Sequence, residues 1–190
     1  MNFDQGVEAL SQTGLNIFLS TKVLDIPENI FLFSKDQKEK NLCLIAHGGN
    51  TLWKNIDQKT TNPIDSFSLS QMQWFATNIL NDKIEILFPN DQHTIKLQQL
   101  GRFLGLSSQS PLGIDISNEF GLWFAFRGVF LTKKTIPFLI KTRAPFPCES
   151  CNDKPCLKEK EIKDGRLKCP VHIEHQYSKD QLDYHQTIIN

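Results

Sequence analysis

Apolar residues along the chain alternate between two spacings, every second position and every third to fourth, and each change of spacing marks a predicted element. Residues 3 to 11 carry the helical spacing, and LNIFLST at 15 to 21 reads as a first strand. NIFLFSKDQKEKNLCLIAHGGN reads as two strands flanking a charged connection at 35 to 40, with Cys43 a small core residue between leucines. NPIDSFSLSQMQWFATNIL is the clearest helix. Asn62 is placed as its N-cap, Pro63 in its first turn and Asp65 against its positive end. Met72, Phe75, Ala76, Ile79 and Leu80 then give it one buried face.

Further along, KIEILFP reads as a strand ended by Pro89, and TIKLQQLGRFLG as a helix closing at Gly105. SPLGIDISNEFGLWFAFRGVFLTKKTIPFL predicts two strands joined by a turn near Asn118 and Gly121. Residues 141 to 170 break the pattern: they are rich in proline, lysine and cysteine, with little apolar content beyond Phe146, Ile162 and Leu167. A last helix follows, with Ser178 and Gln181 as a capping box, Tyr177 stapled onto Leu182, and His185, Ile188 and Ile189 along its face. Strands that follow one another without strict helix alternation predict an α+β fold, with a mixed or antiparallel central sheet flanked by helices. Residues 1–140 form its one domain, and residues 141–190 a small cysteine-rich appendage carrying the C-terminal helix.

Charge narrows the function. Twenty-one basic and twenty-one acidic residues cancel, so no overall basic field is available to hold a phosphate backbone. The N-terminal MNFDQGVEALSQ has acidic residues where a secretion signal needs basic ones, and the longest apolar run, FGLWFAFRGVFL, is short and contains Arg127. These features predict a cytoplasmic protein without a membrane segment, in which clustered cysteines stay reduced.

Two places carry candidate chemistry. In LWFAFRGVFL, alternation puts Trp123, Ala125, Arg127 and Val129 on one face and Leu122, Phe124, Phe126 and Phe130 on the other. A guanidinium in so apolar a strand needs either a neighbouring Asp or Glu or a ligand carboxylate, phosphate or amide. Gly128 beside it leaves room for a flat ligand to approach the backbone. The two glycines of HGGNTLW make either a ligand-facing turn or an ordinary connection, and His47 and His93 read as isolated packing or surface residues.

The second place is the cysteine run. Cys148 and Cys151 have the two-residue spacing that aims both sulfurs at one metal, Cys156 follows after four residues, and Cys169 precedes Pro170. Four thiolates so close suit tetrahedral zinc or an iron–sulfur cluster. The terminal Cys-Pro favours the cluster, whereas His172 and His175 in CPVHIEH are substitute ligands that favour zinc. Free thiols in a loop are the remaining reading, set against the need of so apolar-poor a segment for a staple.

The segment running through Gly-Leu-Trp-Phe-Ala-Phe-Arg-Gly resembles the cblC-type (MMACHC-like) cobalamin-processing family, as do NPIDSFS and QYSKDQLDYH. With PCESCNDKPC and CPVHIEHQYSKDQLDYHQ, the chain looks still more like bacterial ferredoxin-like relatives of that family, themselves distantly similar to the corrinoid-binding part of epoxyqueuosine reductases. The likeness covers residues 13 to 190. It implies a flavin-reductase-like or nitroreductase-like fold in which residues 1–140 bind a corrinoid and residues 141–190 a metal. By resemblance, the cobalamin site comprises Ser110, Pro111, Leu112, Gly113, Trp123, Phe126, Arg127 and Gly128, and the metal ligands are Cys148, Cys151, Cys156 and Cys169.

The chain departs from both patterns. It lacks a clear match to the basic residues that complete glutathione binding in the animal protein, and most of the longer cysteine region of the bacterial group. Three readings follow. The first is a corrinoid-binding redox or processing protein, a cobalamin reductase- or decyanase-like oxidoreductase, with an electron donor or a cofactor-accepting protein as partner. The second is a non-catalytic, zinc-stabilised interaction domain. The third is a flavin-dependent reductase.

Overall fold

A computed structural model describes residues 1–89, 95–141 and 145–189, with the backbone alone at 186–189. The first helix, α1 (Phe3–Gln12), starts where the Asn2 side chain accepts the Gln5 N–H and the Gln5 side chain returns the bond to Asn2. The chain then makes β1 (Ile17–Lys22), a short α2 (Lys35–Lys38), β2 (Asn41–Gly48), α3 (Thr51–Asn55) and α4 (Pro63–Phe75). A π-helical turn, Ala76–Leu80, extends α4 before β3 (Glu85–Phe88). After α5 (Leu97–Phe103) come β4 (Ser107–Gln109), β5 (Asp115–Ser117), β6 (Phe124–Thr132), α6 (Ile162–Lys168) and α7 (Lys179–Ile189).

The main sheet is antiparallel throughout, in the order β1-β2-β6-β3, and β4 pairs with β5 in a separate hairpin. Alternation along each strand feeds two apolar layers. Ile17, Leu19, Leu42, Leu44 and Ala46 face one side, with Leu100 of α5 and the buried Ile30 and Phe33. Phe18, Cys43, Ile45 and Phe130 face the other, against Leu10, Leu52, Met72 and Phe75 from α1, α3 and α4. Covering on both faces is why the central strands read as nearly continuous apolar runs.

Several local expectations need correction. The stretch 29–33 forms no strand; Ile30 and Phe33 are buried against α5's side of the sheet without ladder bonds, and the charged connection after them is the short helix α2. Asn62 does not cap α4 through its side chain, because it takes a left-handed conformation (φ 49°). β5 and β6 are not one hairpin: β5 pairs with β4, and a Ser117–Gly121 bridge closes the turn that precedes β6. His93 lies outside the described residues.

The larger correction is inside β6. Ile45 of β2 stands opposite Gly128 and the next residue, Ala46, opposite Phe126, which leaves Arg127 as the extra residue of a β-bulge. Beyond it the alternation is reversed, so Val129 joins Phe124 on the α5 side and Phe130 turns to the α4 side. Arg127 and Gly128 both point toward α4. The space beside Gly128 is filled: a Cβ there would stand 2.3 Å from the Met72 sulfur. Its missing side chain serves helix packing, not the approach of a flat ligand.

Gly128→Ala therefore forces overpacking against a fully buried Met72 and should destabilise the fold by about 1–3 kcal/mol in urea unfolding. In a Met72→Ala background the same substitution should cost much less. An equal cost in both backgrounds would show that the contact is not what excludes a side chain at 128.

Candidate functional site

The bulge delivers the Arg127 guanidinium to the end of β2, where its Nε–H donates to His47 Nδ1 at 2.9 Å. No carboxylate lies within ion-pair distance of Arg127 among the described residues; the Asp65 charge acts on it only at longer range. The one buried carboxylate nearby in sequence, Asp115, is already taken by Arg102 (2.6 and 2.9 Å) and the Ser107 hydroxyl (2.7 Å). Burial lowers the pKa of Arg127, opposed by the negative potential of Tyr177 and of Asp65.

His47 is fully buried, and burial first, then the Arg127 charge, holds its pKa well below the ordinary value. It is a neutral imidazole. Since Nδ1 accepts from Arg127, the ring proton sits on Nε2, facing the Gln181 side-chain amide at 3.5 Å. With the amide oxygen turned to that N–H, Gln181 Oε1 gains the partner it otherwise lacks. His47 is therefore not the isolated residue expected from the sequence; the signal that marks it is a histidine at the inner end of a doubly covered strand.

The start of α7 closes over this pair. Ser178 Oγ accepts the Gln181 N–H as an N-cap, but the Gln181 side chain points to His47 instead of completing the capping box. Tyr177 stacks on His47 (5.5 Å between rings, 18° apart) and sets its edge against Trp123. His185 lies against Tyr177, its pKa pushed down to about 4 by burial and by the Arg127 and Arg166 charges. Trp53 Nε1, Trp123 Nε1 and His185 Nε2 are buried polar atoms in this region without a hydrogen-bond partner among the described residues.

Arg166, on α6, was not foreseen. Its guanidinium lies over Trp123 (4.6 Å) and Tyr177 (4.7 Å) and donates twice to the Leu122 carbonyl, at 2.7 and 3.1 Å. It also lines an open cavity of about 380 Å³ with Gln98, Ile114, Leu122, Phe124 and Phe126 among its walls. One cation thus belongs both to the aromatic wall above Arg127 and to the groove beside β6.

The expected site residues fall into two groups. Trp123 and Arg127 belong to the His47 cluster, with Trp123 fully buried as a wall, while Phe126 faces the groove. Ser110, Pro111, Leu112 and Gly113 form the turn joining β4 to β5, where Ser110 Oγ accepts the Leu112 N–H. Leu112 packs there on a third apolar cluster, built from Ile116, Leu122, Cys148, Cys156 and Cys169. Cys151 is partly exposed beside them.

The cysteine sulfurs sense one another. Burial raises the Cys148 thiol to about 11, and the charges of Cys169, Cys156 and Cys151 add to that rise. Among the described residues no three of these sulfurs gather within 4.8 Å, and His172 and His175 group with Glu174 instead of with a cysteine. The turn after β2 is also accounted for: a Cβ on Gly48 would strike the Phe120 ring at 2.2 Å, so that glycine serves packing.

The two depressed imidazoles fix a pH response. Their folded pKa lies below 6.5, so the unfolded chain takes up protons first, and stability should fall as pH drops from 6.5 toward 4. Glu28, Asp82 and Glu174, whose carboxyls are lowered from 4.5, 3.8 and 4.5, add to the loss only at the acid end of that window and below it. Urea midpoints measured across it should decline in the parent protein and decline less in His185→Gln; parallel curves would contradict a buried neutral His185.

No protein-family model matches the chain, and no curated protein does. Solved structures match in fold. The B12-trafficking protein CblC of C. elegans, a human MMACHC homologue, superposes with a TM-score of 0.63 over 96% of this chain and 91% of that one, at 16% identity. Epoxyqueuosine reductase from Streptococcus thermophilus gives 0.52 over 83% of this chain at 14% identity, and the match spans 52% of the reductase. At such identities the likeness is one of fold, and the antiparallel sheet with its flanking helices is the fold this chain shares with CblC.

Proposed function

We propose that the protein binds a corrinoid along the bulged end of β6 and holds a cysteine-ligated metal centre beside it, for redox processing of the bound cobalt. The observation that carries this reading is Arg127. At a bulge its guanidinium enters an apolar region and, among the described residues, meets a neutral histidine and no acid, while Trp53 Nε1, Trp123 Nε1 and His185 Nε2 nearby lack partners. Such a site is incomplete without polar groups from elsewhere. The carboxamide rim of a corrin offers both donors and acceptors, and the fold shared with a B12-trafficking protein supports that ligand class.

The ligand would lie across the open groove beside β6, a corrin being too large for about 380 Å³ of enclosed space. Phe124 and Phe126 give it an apolar floor, Arg166 and Gln98 a polar rim. Arg127 does not line that groove; among the described residues its Nη groups make no hydrogen bond while Nε–H holds His47, which leaves them as donors for a ligand that reaches past the groove. A neutral His47 adds no further positive charge to those of Arg127 and Arg166.

The cysteines fit a metal. Three bury in one apolar cluster, and thiols pushed up as Cys148 is stay protonated at neutral pH unless a metal displaces the proton. Tetrahedral zinc would draw the sulfurs to about 3.8 Å apart, from its usual zinc–sulfur bond length. The Cys169-Pro170 ending favours an iron–sulfur cluster. Such a cluster supplies one-electron transfer when bound. Arg166 then links its segment to the aromatic wall above Arg127.

One observation favours a zinc-stapled interaction domain instead. Leu157, Ile162 and Ile173 on the cysteine segment are about half exposed, as a partner-binding surface would be.

Anaerobically purified protein should contain iron and acid-labile sulfide, and titration with hydroxocobalamin should shift its visible spectrum. Arg127→Ala should weaken that binding roughly tenfold to a hundredfold, the value of about 1.5–3 kcal/mol for a charged hydrogen bond. Stoichiometric zinc with an unchanged cobalamin spectrum would put the interaction domain in its place.

A further inference from the structure

Three metal-ligating side chains meet away from the cysteines. His172, Glu174 and His175 each present a ligand atom within 4.8 Å of the other two. His172 Nδ1 lies 3.0 Å from Glu174 Oε1, and His175 Nε2 lies 4.0 Å from the same oxygen. A tetrahedral zinc with nitrogen and oxygen ligands needs separations of about 3.3 Å, given its usual bond lengths. The two separations to Glu174 bracket that value, and the histidine pair lies within 4.8 Å, so small side-chain shifts close the three onto an ion.

The backbone gathers these groups by a device that ordinary turns lack. His172 holds a left-handed conformation (φ 52°), costly for a residue other than glycine, and the 3₁₀ turn Ile173–His175 follows at once. That combination brings the first, third and fourth side chains of His-Ile-Glu-His to one side. His175 is seated against the Phe120 ring at 4.9 Å, which orients its imidazole. An ordinary ion pair would need only one histidine and would not need the strained residue.

All three line a cavity of about 440 Å³, together with Ser117, Asn118, Glu119 and Lys141. Two histidines and one carboxylate leave coordination positions open, and these would face that cavity. Such a ligand set suits zinc and other first-row divalent cations; calcium and magnesium prefer all-oxygen sites.

We propose that His172, Glu174 and His175 form a second metal site, separate from the cysteines, which binds one first-row divalent cation and leaves open positions toward the cavity for a small anionic or water ligand. The proposal does not depend on the corrinoid reading, since no residue is shared with the Arg127 cluster.

Cobalt(II) is the probe, because thiolate ligands give intense charge-transfer bands and a histidine–carboxylate site gives only weak visible bands. The full-length protein with its cysteine centre loaded should bind one further equivalent of cobalt(II), with weak bands alone. Glu174→Gln and His175→Asn should each lose that equivalent while keeping the parent's melting temperature and cysteine-centre metal content. Zinc should displace the cobalt. The proposal is overturned if no further equivalent binds, if it survives both substitutions, or if its spectrum shows thiolate charge transfer.

Discussion

One hydrogen bond organises the centre of this molecule: the Arg127 Nε–H donated to the unprotonated Nδ1 of a fully buried His47. β6 carries one residue more than β2 at that point, so Arg127 keeps the face that alternation gives it with Trp123, while Val129 and Phe130 beyond it change faces. The bond holds a cation within an apolar sheet without spending an acid on it. His47 in turn must stay neutral, which fixes its tautomer and makes Gln181 and Tyr177 of the last helical region its lid. Change the strand register by one residue and every part of this arrangement is lost.

The same logic joins the cysteine segment to the sheet. Low in apolar residues, it contributes Cys148, Cys156 and Cys169 to a small cluster with Ile116 and Leu122, and it sends Arg166 back over Trp123 and Tyr177. A centre held by those sulfurs would sit behind the hairpin turn at Ser110 to Gly113, with the open groove beside it. Among the described residues neither Arg127 nor Arg166 has an acid partner, and Arg166 lies against the rings of Trp123 and Tyr177. Among the described residues no helix is long and apolar enough to cross a membrane.

Much of this was legible in the sequence. The apolar stripe of α4, the composition break after residue 140 and the oddity of Arg127 all follow from local patterns, and the α+β fold with an antiparallel sheet follows from the order of the elements. What local patterns do not encode is pairing between distant strands. The bulge at Arg127 depends on how β2 meets β6, so strict alternation assigned Val129 and Phe130 to the wrong faces. His47 and Arg166 gained their roles only once residues far apart in sequence were brought together. Gly128 read as space for a ligand because Met72, 56 positions earlier, was not yet known to fill it.

The central claim is that the open groove beside the bulged end of β6 receives a corrinoid. Amide hydrogen exchange, measured with and without hydroxocobalamin, tests it most directly. The account predicts slowed exchange concentrated at residues 122 to 130 and at the start of α7. Exchange unchanged there, or protection confined to the opposite edge at β1, would contradict it.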